Sequence, residues 1–236
     1  MHKTSAEARS FLAAFMPLLP EFSSDIEIII AAPFTALAAM RAELGHDSRI
    51  LLAAQNVNSH PFGAYTGEIS LPMLAEFGVT HVILGHSERR MIFGETDASV
   101  NEKTRAVLAA KMTPIIAMGE TREERDAGLT HERVMSQARA ALAGLSPTDV
   151  ARTILAYEPI WAIGTGLNCA VADADAAMAA IRNAVDGLAS VPILYGGSMK
   201  PDNVKTYLGA PQIAGGLIGG ASLDVASFAE MLRNAV

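Results

Sequence analysis

The amino-acid sequence predicts an α/β protein with a parallel sheet, most economically a (β/α)8 barrel short of one strand. Three observations lead there. Short runs rich in Ile, Val and Leu alternate with longer helical patterns, the signature of strand–helix units around a parallel sheet. No Gly-x-Gly-x-x-Gly turn follows the first run, which weakens the open, dinucleotide-binding alternative. The chain's 236 residues also come close to the ~250 typical of the barrel.

The strand candidates are Ile26–Ala31, Ile50–Ala54, His81–Leu84, Pro114–Met118, Thr153–Ala156, Ile193–Tyr195 and Gln212–Ile218. Most are continuously apolar, as expected of parallel strands covered on both faces, whereas the last is broken by glycines. Thr4-Ser5-Ala6-Glu7 is a capping box opening a helix predicted to run to about Leu19. In Asp173–Ser190, Met178, Ile181, Val185 and Leu188 recur at spacings of three and four, and Asp97–Ala110 carries Val100, Val107 and Leu108 on one side. Seven strands therefore face about eight major helical segments, and the first helix has no strand before it. The missing element is the first strand of an eightfold repeat. Residues 1–236 are expected to form a single domain.

Composition excludes several classes of function. With 18 basic and 25 acidic residues the net charge is −7, which disfavours a general nucleic-acid or anionic-membrane binder. An anionic substrate would need a local positive site. Cys169 is the only cysteine, so no disulfide framework or thiolate zinc site forms within one chain, and a reducing compartment is the natural expectation. No apolar run reaches the ~18–20 residues of a membrane span. Phe11 to Leu19 superficially resembles a short signal peptide, but Phe11, Phe15 and Leu18 fall at helical spacing and no small-residue cleavage site follows.

In a barrel of this kind the active site lies at the C-terminal ends of the strands. Here those ends are polar or glycine-rich: Gln55-Asn56, Gly85-His86-Ser87-Glu88-Arg89-Arg90, Glu158-Pro159, Tyr195-Gly196-Gly197-Ser198 and Gly219-Gly220. An apolar run feeds directly into Glu158, and a carboxylate carried into apolar surroundings is a stronger base. A salt bridge at a strand end accounts for such a residue equally well. His86 stands where a helix can begin, with Ser87 as its cap, and a helix N-terminus disfavours imidazolium. Pro159 to Gly166 joins proline, apolar residues and two glycines, as either a mobile lid or a packed loop. The two glycine pairs, Gly196-Gly197 and Gly219-Gly220, can present bare backbone N–H groups to a phosphate after the last two strands.

These residues resemble the triosephosphate isomerase family along nearly the whole chain. Gln55-Asn56-Val57 followed by Gly63-Ala64-Tyr65-Thr66-Gly67-Glu68-Ile69-Ser70 looks like that family's interdigitating dimer loop, with Thr66 the residue that reaches the neighbour. Gly85 to Arg90 matches its electrophile motif, and Ala156 to Gly166 its catalytic-base and lid motif. Tyr195 to Ser198 and Leu217 to Leu223 match its phosphate loops. The resemblance implies a TIM barrel that interconverts D-glyceraldehyde 3-phosphate and dihydroxyacetone phosphate. It makes Glu158 the proton shuttle, neutral His86 the group that polarises the carbonyl, and Glu88 the glutamate beside it. Gly164, Ser198, Gly219 and Gly220 would hold the phosphate, and Ile163 and Leu217 would form the apolar clamp. It implies no metal or organic cofactor, a cytoplasmic homodimer, and a place in glycolysis and gluconeogenesis.

One departure is large. The family's first strand ends in Asn-Trp-Lys-Met, and its asparagine and lysine belong to the active site. Met1 matches that methionine, and His2-Lys3-Thr4 leads straight into the first helix. The strand missing from the count is therefore the one that delivers the lysine, with Lys3 two residues beyond the expected place. Severely impaired turnover is expected of the chain as written. The alternative is a non-catalytic descendant of the fold that binds phosphate or serves as an interaction module.

Overall fold

The computed structural model describes residues 1–45, 49–163 and 167–236. Among the described residues seven parallel strands hydrogen-bond in sequence order: β1 (Ile28–Ala32), β2 (Ile50–Ala54), β3 (Val79–Leu84), β4 (Thr113–Met118), β5 (Ile154–Tyr157), β6 (Ile193–Tyr195) and β7 (Gly215–Gly216). Helix α1 (Ser5–Phe15) precedes the sheet, α2 (Phe34–Leu44) joins β1 to β2, and α3 (Leu71–Glu76) leads into β3. Then come α4 (Ser87–Phe93) and α5 (Asp97–Ala109) before β4, and α6 (Arg122–Asp126), α7 (Thr130–Leu142) and α8 (Pro147–Val150) before β5. Helices α9 (Val171–Arg182), α10 (Val204–Leu208) and α11 (Val225–Asn234) follow β5, β6 and β7 in turn.

Alternation along each strand divides the core into two layers. Ile83, Ile115, Ala117, Ile154 and Ala156 point to one face of the curled sheet, with half-buried Ile29, Ala31, Leu194 and Leu217 around them. Their neighbours Ile28, Leu52, Val82, Ile116, Leu155 and Ile193 point outward into the much larger layer shared with the helices. The inner cluster is small, and its half-buried members lie on the strands nearest the two ends of the sheet.

Among the described residues the sheet has two edges: β1 pairs only with β2, and β7 only with β6. The helical layer, by contrast, continues past the gap. Helix α1 packs against both α2 and α11. Fully buried Phe15 stacks with Phe11 and Phe22 at ring-centroid distances of 5.6 and 5.8 Å, and meets Phe228 of α11 at 5.2 Å. Arg233 of α11 pairs with Glu21 at 2.7 Å just beyond. The first and last helices are thus packed directly against each other.

Most element boundaries match expectation to within one or two residues, and the exceptions have local causes. The capping box forms as predicted, with Thr4 and Glu7 exchanging hydrogen bonds. The helix it opens stops at Phe15 rather than Leu19, and Met16–Glu21 continues as a 3₁₀ helix. Pro17 supplies no backbone N–H for a continuing α-helix. The segment Asp173–Ser190 is likewise two pieces: α9 ends at Arg182 and a 3₁₀ turn, Leu188–Ser190, follows Gly187 at φ +94°. Of Gln212–Ile218 only Gly215–Gly216 pairs as strand, because two glycines with one neighbour strand bring little side-chain packing. Cys169 is buried, and burial pushes its thiol up to about 11, so it stays protonated and unreactive near neutral pH.

Candidate active site

Three consecutive strands, β3, β4 and β5, end side by side and bring the two sequence-predicted reactive groups together. The chain leaves β3 through Gly85, and His86 follows in extended backbone (φ −51°, ψ 142°) as the N-cap of α4. Its own ring supplies the cap: Nδ1 accepts from the Glu88 N–H at 3.3 Å. Sequence reasoning assigned the cap to Ser87, which instead is the first helical residue and is buried. Its backbone N–H is thereby free to serve the site.

Glu158 is the residue after β5. Its N–H donates to the Met118 carbonyl at 2.7 Å, carrying the β4–β5 ladder one step past the end of the strand. The side chain is 2 % exposed, and both carboxylate oxygens find donors on the His86 turn. Oε1 lies 3.0 Å from His86 Nε2, and Oε2 accepts from the Ser87 N–H at 3.0 Å. The packing beside it is close: a Cβ added at Gly196, after β6, would lie 2.8 Å from Glu158 Cγ. Only glycine leaves the carboxylate room to stand there.

These contacts specify the imidazole's protons. Because Nδ1 accepts from a backbone N–H, the ring hydrogen sits on Nε2 and points at Glu158. Burial presses the ring's pKa down. The hydrogen bond and charge of Glu158, with the charge of Glu88, more than offset it, so His86 titrates above its ordinary value in this state. Glu88 contributes from the exposed side: its carboxylate is 3.8 Å from Nδ1 and its side chain is 71 % exposed.

The start of the predicted lid is firmly anchored. Buried Glu120, just after β4, accepts from Tyr157 Oη at 3.1 Å and from Trp161 Nε1 at 2.8 Å through the same oxygen. Burial, then the Glu120 charge, pushes the Tyr157 hydroxyl well above its ordinary range, so it remains a donor. Arg125 lies 4.3 Å over the Trp161 ring and pairs with Asp173 of α9 at 2.7 Å. Ser198 donates from Oγ to the Ala162 carbonyl at 3.1 Å, tying the loop after β6 to that same segment. Ile163 follows as a half-buried residue, while Gly164, together with Thr165 and Gly166, lies outside the described residues. Leu217 is half-buried beside the inner cluster. Gly219 and Gly220 are exposed, with nothing near the position of a Cβ on either, so their backbone is open to a ligand.

Several site residues escaped the sequence reading. Glu120 sits two residues beyond the end of β4, but the partners it meets are settled by distant segments; Gly196, predicted to offer a bare N–H to a phosphate, instead donates it to the Tyr157 carbonyl at 2.8 Å. Glu95 is buried ten residues after Gly85, accepts from the Gly85 N–H at 3.0 Å, and pairs with Lys103. Lys103 also donates to Asn56 Oδ1 at 2.8 Å, so the polar residue after β2 is drawn into the same network. Lys3, the residue nearest the expected lysine, adopts φ +70° and places its ammonium 5.5 Å from the Phe11 ring centroid.

With this geometry in place, similarity to known proteins settles the family. The triosephosphate isomerase family model matches residues 1–235. The chain belongs to the triosephosphate isomerase family. A triosephosphate isomerase of Symbiobacterium thermophilum is 50 % identical over 235 residues, covering 97 % of this chain and 91 % of its own. One from Acaryochloris marina is 47 % identical, covering 99 % of this chain and 95 % of its own. The crystal structure of triosephosphate isomerase from Bartonella henselae superposes with a TM-score of 0.88 at 34 % identity, over 99 % of this chain and 94 % of that one. The fold is therefore the family's TIM barrel, here with seven strands among the described residues, and the chain is an isomerase by descent.

The His86–Glu158 contact predicts a direction for titration in the ligand-free chain. Replacing Glu158 by Gln should lower the His86 pKa, read by NMR of the ring protons. Because the folded value lies above the unfolded one, the contact's contribution to stability should be fully present below about pH 6.5 and fade as pH rises through the raised value. An unchanged His86 titration in Glu158→Gln would refute the arrangement.

Proposed function

We propose that this chain interconverts D-glyceraldehyde 3-phosphate and dihydroxyacetone phosphate through an enediolate, with Glu158 as base and His86 as electrophile. The observation that carries this reading is the 3.0 Å pairing of a buried carboxylate with an imidazole whose remaining proton faces it. A substrate entering between them takes both partners. Glu158 accepts the proton from the carbon beside the carbonyl, and His86 Nε2–H donates to the carbonyl oxygen as charge develops there. The protonated carboxyl then returns its proton to the neighbouring carbon. Once the carboxylate turns to carbon, its hydrogen bond no longer raises the imidazole pKa. Burial and the Glu88 N–H on Nδ1 favour the neutral ring, against the charge of Glu88, while the charge of Glu158 is lost as that carboxylate takes up the proton.

Ser198, Gly219, Gly220 and Gly164 would hold the phosphate through hydroxyl and backbone donors, in keeping with a net charge of −7 that offers no general attraction to anions. Ile163 and Leu217 would close over the base, and Glu88 would tune the ring from the solvent side. Among the described residues no helix is long and apolar enough to cross a membrane. A cytoplasmic, glycolytic and gluconeogenic setting and a single-domain organisation complete the reading.

The dimer reading rests on the loop after β2. Asn58 closes it, its N–H donating to the Ile69 carbonyl at 2.9 Å and its side-chain amide to Glu68 at 3.0 Å. The closed loop presents Phe62, Tyr65 and Thr66 to solvent, with Met91, Ile92 and Phe93 of α4 also exposed. A surface of that composition is suited to a second copy. Sedimentation should give a concentration-dependent mass approaching two chains; a monomer mass at every concentration would reject the dimer.

Turnover tests the mechanism and the missing lysine together. The family carries a lysine on its first strand, and Lys3, the nearest in sequence, lies with its ammonium 5.5 Å from the Phe11 ring centroid. Loss of one preorganised donor costs about 10²–10³ in kcat. The 236-residue chain is expected to isomerise glyceraldehyde 3-phosphate at a severely reduced rate, with the residual rate abolished in Glu158→Gln. Adding a strand ending Asn-x-Lys ahead of Met1 should raise it. Full turnover without that strand would overturn the role given to the lysine.

A further inference from the structure

The turn that presents His86 is held by a residue that touches no part of the reacting groups. Gly85 has φ +67°, and a Cβ there would lie 2.8 Å from Arg90 Nη2 and 3.0 Å from the Ala117 carbonyl oxygen. Both polar ends of the residue are tied. Its N–H donates to Glu95, and its carbonyl accepts from Arg90 Nε at 2.7 Å. That carbonyl belongs to the peptide plane whose nitrogen is His86's own, so the plane's tilt sets where the imidazole points.

Arg90 anchors the plane to the rest of the fold. Its Nη1 pairs with Asp97, the first residue of α5, at 2.5 Å, and its Nη2 reaches the Ala117 carbonyl of β4 at 3.4 Å. The side chain is only 11 % exposed. One planar guanidinium therefore joins the end of β3, the adjacent strand β4 and the start of α5, a set of three acceptors that an ammonium cannot reach with fixed angles. A tilt of about 10° at the Gly85–His86 peptide displaces a ring atom ~6 Å away by about 1 Å, a tolerance at which catalytic geometry is lost.

We propose that Arg90 is a positioning residue for His86, fixing the Gly85–His86 peptide against β4 so that Nε2 stays aimed at the reacting centre. The inference rests on His86 being the carbonyl-polarising group. A purely structural role, pairing with Asp97 at the start of α5, would leave the imidazole's surroundings unaltered when Arg90 is replaced in a chain that still folds.

The test compares Arg90→Met and Arg90→Lys with Arg122→Met, a charge-matched control in an exposed pair with Asp126. Three quantities are read: the His86 ring nitrogen shifts, hydrogen exchange of the Glu88 amide that caps on Nδ1, and kcat and KM for glyceraldehyde 3-phosphate. With the control unchanged, both Arg90 variants should shift the His86 signals and speed Glu88 exchange by about tenfold. They should lower kcat by about ten- to a hundredfold with KM within about twofold. Arg90→Lys should rescue little of this, and it decides the matter if Arg90→Met does not fold. Folded variants with wild-type His86 signals and Glu88 exchange would overturn the proposal, as would a loss confined to KM. Arg90-dependent ring signals in a chain inert towards triose phosphates would sustain the positioning role and remove the isomerase reading.

Discussion

A carboxylate that is 2 % exposed has to find its donors within the protein, and at Glu158 those donors come from a single turn. His86 Nε2 takes one oxygen and the Ser87 N–H the other, each at 3.0 Å. Leaving either oxygen unpaired there would cost about 1–3 kcal/mol or more, charged groups lying at the upper end. The relative placement of β3 and β5 is therefore constrained by the site as much as by the sheet. Strand β4 between them supplies the carbonyl of Met118 to the Glu158 N–H, so three parallel strands act as one mount.

The mount lies in the middle of the strand order, away from both sheet edges. Among the described residues the two edges are β1 and β7, whereas the His86–Glu158 pair spans β3 to β5 in the middle of the seven-strand order. Unpaired edges ordinarily invite association with other strands. Here the outer layer bridges them through Phe15 and Phe228 and through Glu21 and Arg233.

Local signals were legible in the sequence and distant pairings were not. The capping box at Thr4 and Glu7 is encoded within four residues and formed as predicted. Strands β2 to β6 were recognisable as short apolar runs because both of their faces are covered. The end of α1 was missed because hydrophobic spacing continues through Pro17, whose missing N–H decides the matter. His86 rather than Ser87 caps α4, since either side chain can accept there and only the position of Glu158 selects between them. Glu95 and Arg90 were hidden for a related reason. A charged residue in a helix or loop looks solvated until the fold places Gly85 and Ala117 against it.

As proposed, Glu158 and His86 act as an acid–base pair, and proton transfer tests that role apart from net turnover. Incubating the 236-residue chain with dihydroxyacetone phosphate in D2O, and following deuterium entering the hydroxymethyl carbon by NMR, isolates proton transfer from net isomerisation. The account predicts incorporation at least about a hundredfold faster than with Glu158→Gln. Equal rates for the two proteins would contradict it.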